Sequence, residues 1–258
     1  MVAVNGPAVR GMVLGCPVDV VTMDTAVERM VALVENRRGS KGAAARSRHE
    51  PAIVVTLNPE MVMRAQREAD FRAILDRAAL IIPDGVGVVT ALHRRGHPDA
   101  VRVAGTDLLE AYLPHAARLG HRLGLAGGAP DVTAEAARRL RWCVPGLQVV
   151  AADSGDPDGA TAGRLRRASP DVVCAAYGAG RQERFLNAHL AAIGAGVGIG
   201  IGGALDFVAG RSRRAPEMVR EAGFEWAWRL FWEPRRLRRQ SVLPAFWWRE
   251  RREAIRER

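Results

Sequence analysis

Apolar residues recur along this chain in two rhythms. From about residue 120, short apolar runs at about 122–126, 147–151, 171–177 and 196–201 alternate with amphipathic stretches at about 131–142, 159–168 and 182–192. That alternation predicts strands and helices in turn, the pattern of a parallel sheet with right-handed crossovers. Upstream the rhythm is less regular. Residues 12–35 read as a short strand followed by an amphipathic helix carrying Ala26, Met30, Leu33 and Val34, and the polar, small, basic stretch 36–50 reads as an exposed loop. "AIVVTLNPE" predicts a strand ending at Thr56 and Asn58, with Pro59 opening a helix through about Leu75. "LIIPDGVGVV" (80–89) predicts another strand, stopped by Pro83-Asp84-Gly85, and helical patterns follow around 86–95 and 105–119. The expected architecture is α/β: an irregular α/β N-terminal half (about 1–119), a Rossmann-like parallel sheet (about 120–210), and a basic aromatic helical appendage (211–258).

Composition changes this picture mainly at the C-terminus. The net charge is +10, and residues 211–258 hold fourteen Arg against seven Glu, so most of the excess is local. Five of the six tryptophans (Trp226, Trp228, Trp232, Trp247, Trp248) fall in the same segment. Phe224, Trp228, Phe231 and Trp232 recur there at helical spacing beside arginines, as in helices that lie at a membrane interface. Clustered tryptophan fits headgroup depth better than nucleic acid, so a basic nucleic-acid-binding module stands as the weaker alternative. Three scattered cysteines (Cys16, Cys143, Cys174) suit neither a disulfide framework nor a metal site and fit a reducing cytoplasm. The start of the chain lacks a signal-type core, and the longest uncharged run, Leu190 to Leu205, is short of the roughly 20 apolar residues a membrane helix needs.

Candidate chemistry collects at the expected carboxyl ends of strands, where open α/β sheets bind ligands. Thr56 and Asn58, Asp84, Gly127-Gly128, Gly178 to Gln182, and Gly202-Gly203 to Asp206 all fall there. Glycine loops feeding helix N-termini supply N–H groups suited to a diphosphate. Asp84 has two readings at this point: cap of the helix opening near Val86, or a carboxylate with a chemical task. Other signals are weaker. Gly198, Gly200 and Gly203 satisfy G-x-G-x-x-G, which keeps a nucleotide-sugar dehydrogenase as a rival, but little sheet follows them. Asp156 to Asp158 ("DPD") resembles a metal-binding motif yet sits where a helix cap is expected. His93 and His97 read as surface residues.

Six blocks in order, "VVTLNPEMVMRAQ", "AALIIPDGVGVV", "RVAGTDL", "YGAGRQERFL", "GIGGALDFVAGRSRRAP" and "GFEWAWRLFWEPRRLRR", resemble the WecG/TagA/CpsF bacterial glycosyltransferases from about Val13 to Arg239. Where that family usually carries Gly-Ala-Pro-Lys-Gln-Glu, this chain has Gly178-Ala179-Gly180-Arg181-Gln182-Glu183, and the insert at 36–50 is longer than expected. The resemblance implies an inverting, metal-independent transfer of an N-acetylhexosamine, typically N-acetylmannosamine, from a UDP-sugar to a polyprenyl-diphosphate-linked sugar. No metal cofactor is expected from it; the aromatic, arginine-rich tail adds the expectation of a cytoplasmic enzyme held peripherally on the anionic inner membrane face, with no nucleic-acid partner. It leaves oligomeric state, a homo-oligomer included, open. Carried over by residue, it places the base on Asp84, polar active-site positions on Thr56, Asn58, Arg102 and Gln182, and the arginines that meet the leaving diphosphate on Arg229, Arg236 and Arg239. Those three could act only if the appendage folds over the site.

Overall fold

The computed structural model describes residues 9–39, 50–216, 218–219, 225–232 and 241–256, without the side chains of Glu225, Trp226, Arg229 and Arg256. An antiparallel hairpin opens the described chain, β1 (Arg10–Val13) and β2 (Cys16–Asp19), turning through Leu14 and Gly15. Both turn residues have positive φ (47° and 71°), the backbone that matches strand twist in a two-residue hairpin. The sequence pattern predicted a single strand here; Leu14 hides the turn because its side chain is apolar and its conformation is not.

Six strands then build one parallel sheet. They are β3 (Ala52–Leu57), β4 (Leu80–Pro83), β5 (Arg122–Gly127), β6 (Gln148–Asp153), β7 (Val172–Ala176) and β8 (Val197–Gly200). Their order is β4-β3-β8-β7-β5-β6, so strands from the irregular half and the regular half meet where β3 pairs β8, Ala52 opposite Val197.

Helices cover both faces, as they must over strands that are apolar on both sides. One face carries α1 (Met23–Gly39), α5 (Gly105–Leu119), α6 (Pro130–Cys143) and the short α9 (Ala204–Val208), packed on Val54, Ile82, Leu125, Cys174 and Ile199. The other carries α2 (Pro59–Ala65), α3 (Ala69–Arg77) and α4 (Val86–Arg94) over Val55, Leu57 and Ile81. Beside them α7 (Gly159–Ala168) and α8 (Arg181–Ile193) pack over Ala126, Val173 and Ala175.

Two helices differ from expectation. α1 runs on to Gly39, into the stretch read as loop, because Arg37 and Arg38 in its last turn donate to the carbonyls of Glu50 and Leu119 (3.0 and 2.7 Å). The expected helix from Pro59 to Leu75 is broken after Ala65, where the Gln66 amide donates to Leu14 O at 2.6 Å. At the other end of the chain stand α10 (Glu225–Trp232) and α11 (Leu243–Arg256). α11 is docked on the body: Phe246 is fully buried with α2 and α4, and Glu250 is buried against Arg94 and Arg95.

Candidate active site

The crossovers determine where a cleft can open. The helix after β5 (α6) lies on one face and the helix after β7 (α8) on the other, and the same holds for β8 (α9) and β3 (α2). Between such strand pairs the covering helices diverge at the carboxyl edge, the position at which open α/β sheets take ligands. Every strand-end residue singled out from the sequence falls on this edge.

Asp84 follows the last residue of β4. Its backbone N–H donates to Leu57 O (2.9 Å), and Pro83 O accepts from Val103 N–H (3.0 Å), so the turn is held from both sides. The N-cap position of α4 belongs to Gly85, which has no side chain to offer. The carboxylate reaches across instead: Asp84 Oδ2 accepts from Gly105 N–H at the start of α5 (3.2 Å), and Arg102 Nη2 lies 3.7 Å from Oδ1. Both neighbours present positive charge to the carboxylate. It remains about one-quarter exposed, open to a substrate.

From Asp84 a chain of contacts runs along the edge. A Cβ on Gly105 would fall 2.7 Å from Thr56 Cγ2, so the glycine lets α5 start directly against β3. Thr56, almost buried, donates to Gly200 O at the end of β8 (3.2 Å). Beyond Gly200 the backbone turns through Gly202 (φ 52°), whose N–H donates to Gln182 Oε1 (3.0 Å). Gln182 Nε2 in turn donates to Glu183 Oε1 (2.8 Å), and Glu183 Oε2 accepts from Gly180 N–H (2.6 Å). Burial pushes the Glu183 carboxyl above its ordinary pKa, and the hydrogen bonds from Gln182 and Gly180 pull it back. Asn58 stands beside the Asp84 turn, its Oδ1 capping α2 by accepting from Met61 N–H (3.0 Å).

Farther along lie Gly127 and Gly128, both at positive φ (88° and 77°), with Thr133 Oγ1 donating to Gly127 O at 2.5 Å. Gly128 approaches Leu205 of α9, which brings this loop next to Gly203 and Asp206. The Tyr177 ring, at the end of β7 beside Gly178, packs against Gly127 and edge-on to Phe185 (5.1 Å), and burial pushes its hydroxyl up to about 12. A strap follows α9: Arg211 pairs with Asp131 in the first turn of α6, and Arg214 pairs with Asp107 and Glu110 near the start of α5. It therefore bridges the two helix starts that flank the cleft.

Thus Asp84, Arg102, Thr56, Asn58, Gln182 and Gly202 are brought together, and Gly127, Gly128, Gly178, Gly203 and Asp206 adjoin them along the same edge. Arg236 and Arg239 lie outside the described residues, as do Phe224 and the side chain of Arg229. Asp158 of the "DPD" motif caps α7, accepting from Thr161 N–H (3.0 Å). No group of three His, Cys, Asp or Glu side chains suited to a metal ion occurs among the described residues. Gly198 and Gly200 lie inside β8 instead of in a loop after it, so the dinucleotide fingerprint lacks its structural context. His93 is exposed and its ring nitrogen meets Ala100 O at 2.7 Å. Sequence reasoning missed Glu183 and Tyr177. For Glu183 the available signal was a Glu three residues after Gly180 at a helix start, the half of a capping box in which the carboxylate accepts from the cap's backbone N–H.

Comparison with known proteins settles the class. The family model described as "Glycosyl transferase WecG/TagA/CpsF family" matches residues 12–258, and the chain belongs to this family of glycosyltransferases. Among curated relatives it is 32% identical over 197 residues, covering 76% of this chain and 77% of the other, to the N-acetylglucosaminyldiphosphoundecaprenol N-acetyl-beta-D-mannosaminyltransferase of Bacillus spizizenii. The protein of the same name from Bacillus subtilis is 29% identical over an equal span.

Proposed function

We propose that this glycosyltransferase moves N-acetylmannosamine, or a closely related sugar, from a UDP-sugar to N-acetylglucosamine on a polyprenyl diphosphate, as a step in building a cell-surface polymer. The names of the two relatives support the sugar and the acceptor. The observation that carries the chemistry is the partly exposed Asp84 carboxylate, held at the sheet edge by Gly105 N–H and Arg102.

In this reading Asp84 takes the proton from the acceptor hydroxyl as its oxygen attacks the anomeric carbon from the face opposite the diphosphate. The bond from that carbon to the diphosphate oxygen breaks, and UDP leaves with the electron pair. Proton removal by a placed carboxylate is worth roughly 10²–10⁴ in rate. The leaving charge is met by N–H groups of the glycine turns after β5, β7 and β8 and by Arg102, with Arg229, Arg236 and Arg239 given the same task by the family resemblance. No metal takes part. Phe231 and Trp232 of α10, 76% and 54% exposed, seat the enzyme at the inner membrane face. No helix among the described residues is long and apolar enough to cross a membrane, so attachment in this reading is peripheral.

The test is Asp84→Asn, assayed with UDP-N-acetylmannosamine and a short-chain polyprenyl-diphosphate acceptor in excess chelator. Wild-type transfer should persist, while the variant loses roughly 10²–10⁴ in kcat with little change in UDP affinity. Near-normal turnover of the variant removes the base assignment; magnesium-dependent wild-type turnover removes the metal-free one.

A further inference from the structure

Glu183 is a buried carboxylate, and the chemistry above leaves it without a task. It is 0% exposed, and Gln182 beside it is 2% exposed. Buried carboxylates are costly unless every oxygen is engaged, and here both are: Oε2 by Gly180 N–H (2.6 Å) and Oε1 by the Gln182 amide nitrogen (2.8 Å). The other end of the same amide, Oε1, accepts from Gly202 N–H (3.0 Å). Four groups therefore stand in a row with a fixed order of donors and acceptors, from Gly180 after β7 to Gly202 after β8.

An amide side chain has two faces of nearly equal shape, and only its partners decide which end is oxygen. A carboxylate accepts at both oxygens, so it forces the Gln182 nitrogen toward itself and the oxygen toward Gly202. We infer that Glu183 is a positioning residue for sugar transfer: it fixes the orientation of the Gln182 amide and thereby the spacing between the glycine turns that follow β7 and β8. The inference rests on the proposed nucleotide-sugar reading for what those turns hold, and on the hydrogen-bond order alone for the brace. β8 is built to receive it. A Cβ on Gly200 would collide with Gln182 and Glu183, so glycine lets the strand lie directly against the pair. Thr56 binds the carbonyl of the same Gly200, which links the brace to the Asp84 side of the edge.

The order of donors and acceptors supplies the experiment. Glu183→Gln keeps the shape but leaves an NH2 group facing a donor, its own against Gly180 N–H or the Gln182 NH2, or, when the Gln182 amide turns over, that NH2 against Gly202 N–H. Adding Gln182→Glu to that variant restores the order: the residue 183 oxygen accepts from Gly180, its nitrogen donates to residue 182, and the second carboxylate oxygen there accepts from Gly202. The total charge is unchanged. Hydrogen exchange reports the brace without reference to any substrate. Gly180 and Gly202 amides should lose protection at least tenfold in the single variant and recover it in the double exchange. In the transfer assay the single variant should raise KM for the UDP-sugar at least tenfold, more than it lowers kcat, at a nearly unchanged melting midpoint; the double exchange is read by amide protection alone. Unchanged exchange and KM in Glu183→Gln, or loss that the double exchange fails to restore, overturns the inference. If exchange follows the predicted order while the wild-type protein transfers no sugar from UDP-N-acetylmannosamine, the brace stands and the functional reading falls.

Discussion

The two helices at the C-terminal end of the chain, α10 and α11, share a tryptophan-rich stretch and are opposite in placement. α10 reads EWAWRLFW and α11 LPAFWWRERREAIR, each with neighbouring aromatic rings, one phenylalanine among them. In α10, Trp232 lies edge-on to Phe231 (5.4 Å) and tilted against Trp228 (6.1 Å), with Phe231 and Trp232 turned to solvent. In α11, Phe246 faces inward, and Glu250 and Glu253 fall on the same helix face, four and seven residues on. Those carboxylates meet the end of α4: Glu250 pairs with Arg94 and Arg95, and Glu253 with Arg95 (2.5 Å) and with Leu14 N–H (3.1 Å). Aromatic content alone does not separate an anchor from a core helix. The position of acidic residues relative to the ring does, because an inward carboxylate requires a protein partner and an interface helix has no use for one.

Breaking α11 should have the largest effect. Phe246→Ala removes a fully buried ring from between α2 and α4 and should cost about 3–5 kcal/mol in urea unfolding. A loss under about 1 kcal/mol would show that α11 is dispensable to the fold. Deleting everything beyond Gly210 therefore cannot separate attachment from catalysis, since it removes this ring as well. Glu250→Gln comes next. It strips the charge facing two guanidiniums, one of them on the nearly buried Arg95, and should cost about 3 kcal/mol, with Arg95→Met in the same background recovering part of it. The smallest stability effect belongs to Phe231→Ala with Trp232→Ala on α10, within about 0.5 kcal/mol of wild type by the same unfolding measurement. That pair should nonetheless abolish flotation with anionic vesicles while turnover on a soluble acceptor persists. Vesicle binding that survives the double change would transfer the anchoring task to other residues.

Legibility in the sequence followed the range of the interactions. The parallel sheet was readable because strand and helix periods are local, and Asp84, Thr56 and Asn58 were placed because strand ends announce themselves through proline and glycine. What joins them was not. Asp84 finds Gly105 across 21 residues and Thr56 finds Gly200 across 144, contacts that no local window contains. Glu183 was passed over for a related reason: beside arginines in "GRQERF" it has the pattern of a surface charge, and only the approach of β8 buries it. The break after Ala65 and the hairpin at Leu14 were missed together, since Gln66 and Leu14 complete each other.

β8 is the last of the described strands and sits in the middle of the sheet, between β3 and β7. Before residues 197–200 insert, β3 and β7 each carry an unpaired edge, and the two halves of the sheet share no strand pairing. A ribosome delivers those halves first and the joining strand later, and a non-local pairing of this kind is a slow step that leaves open edges exposed to other chains. Thr56, Gly202 and Gln182 all acquire their partners through that strand or the turn after it, so the reactive edge comes into being at the end of folding. A nascent chain that has not yet closed its sheet has no assembled site with which to bind donor sugar.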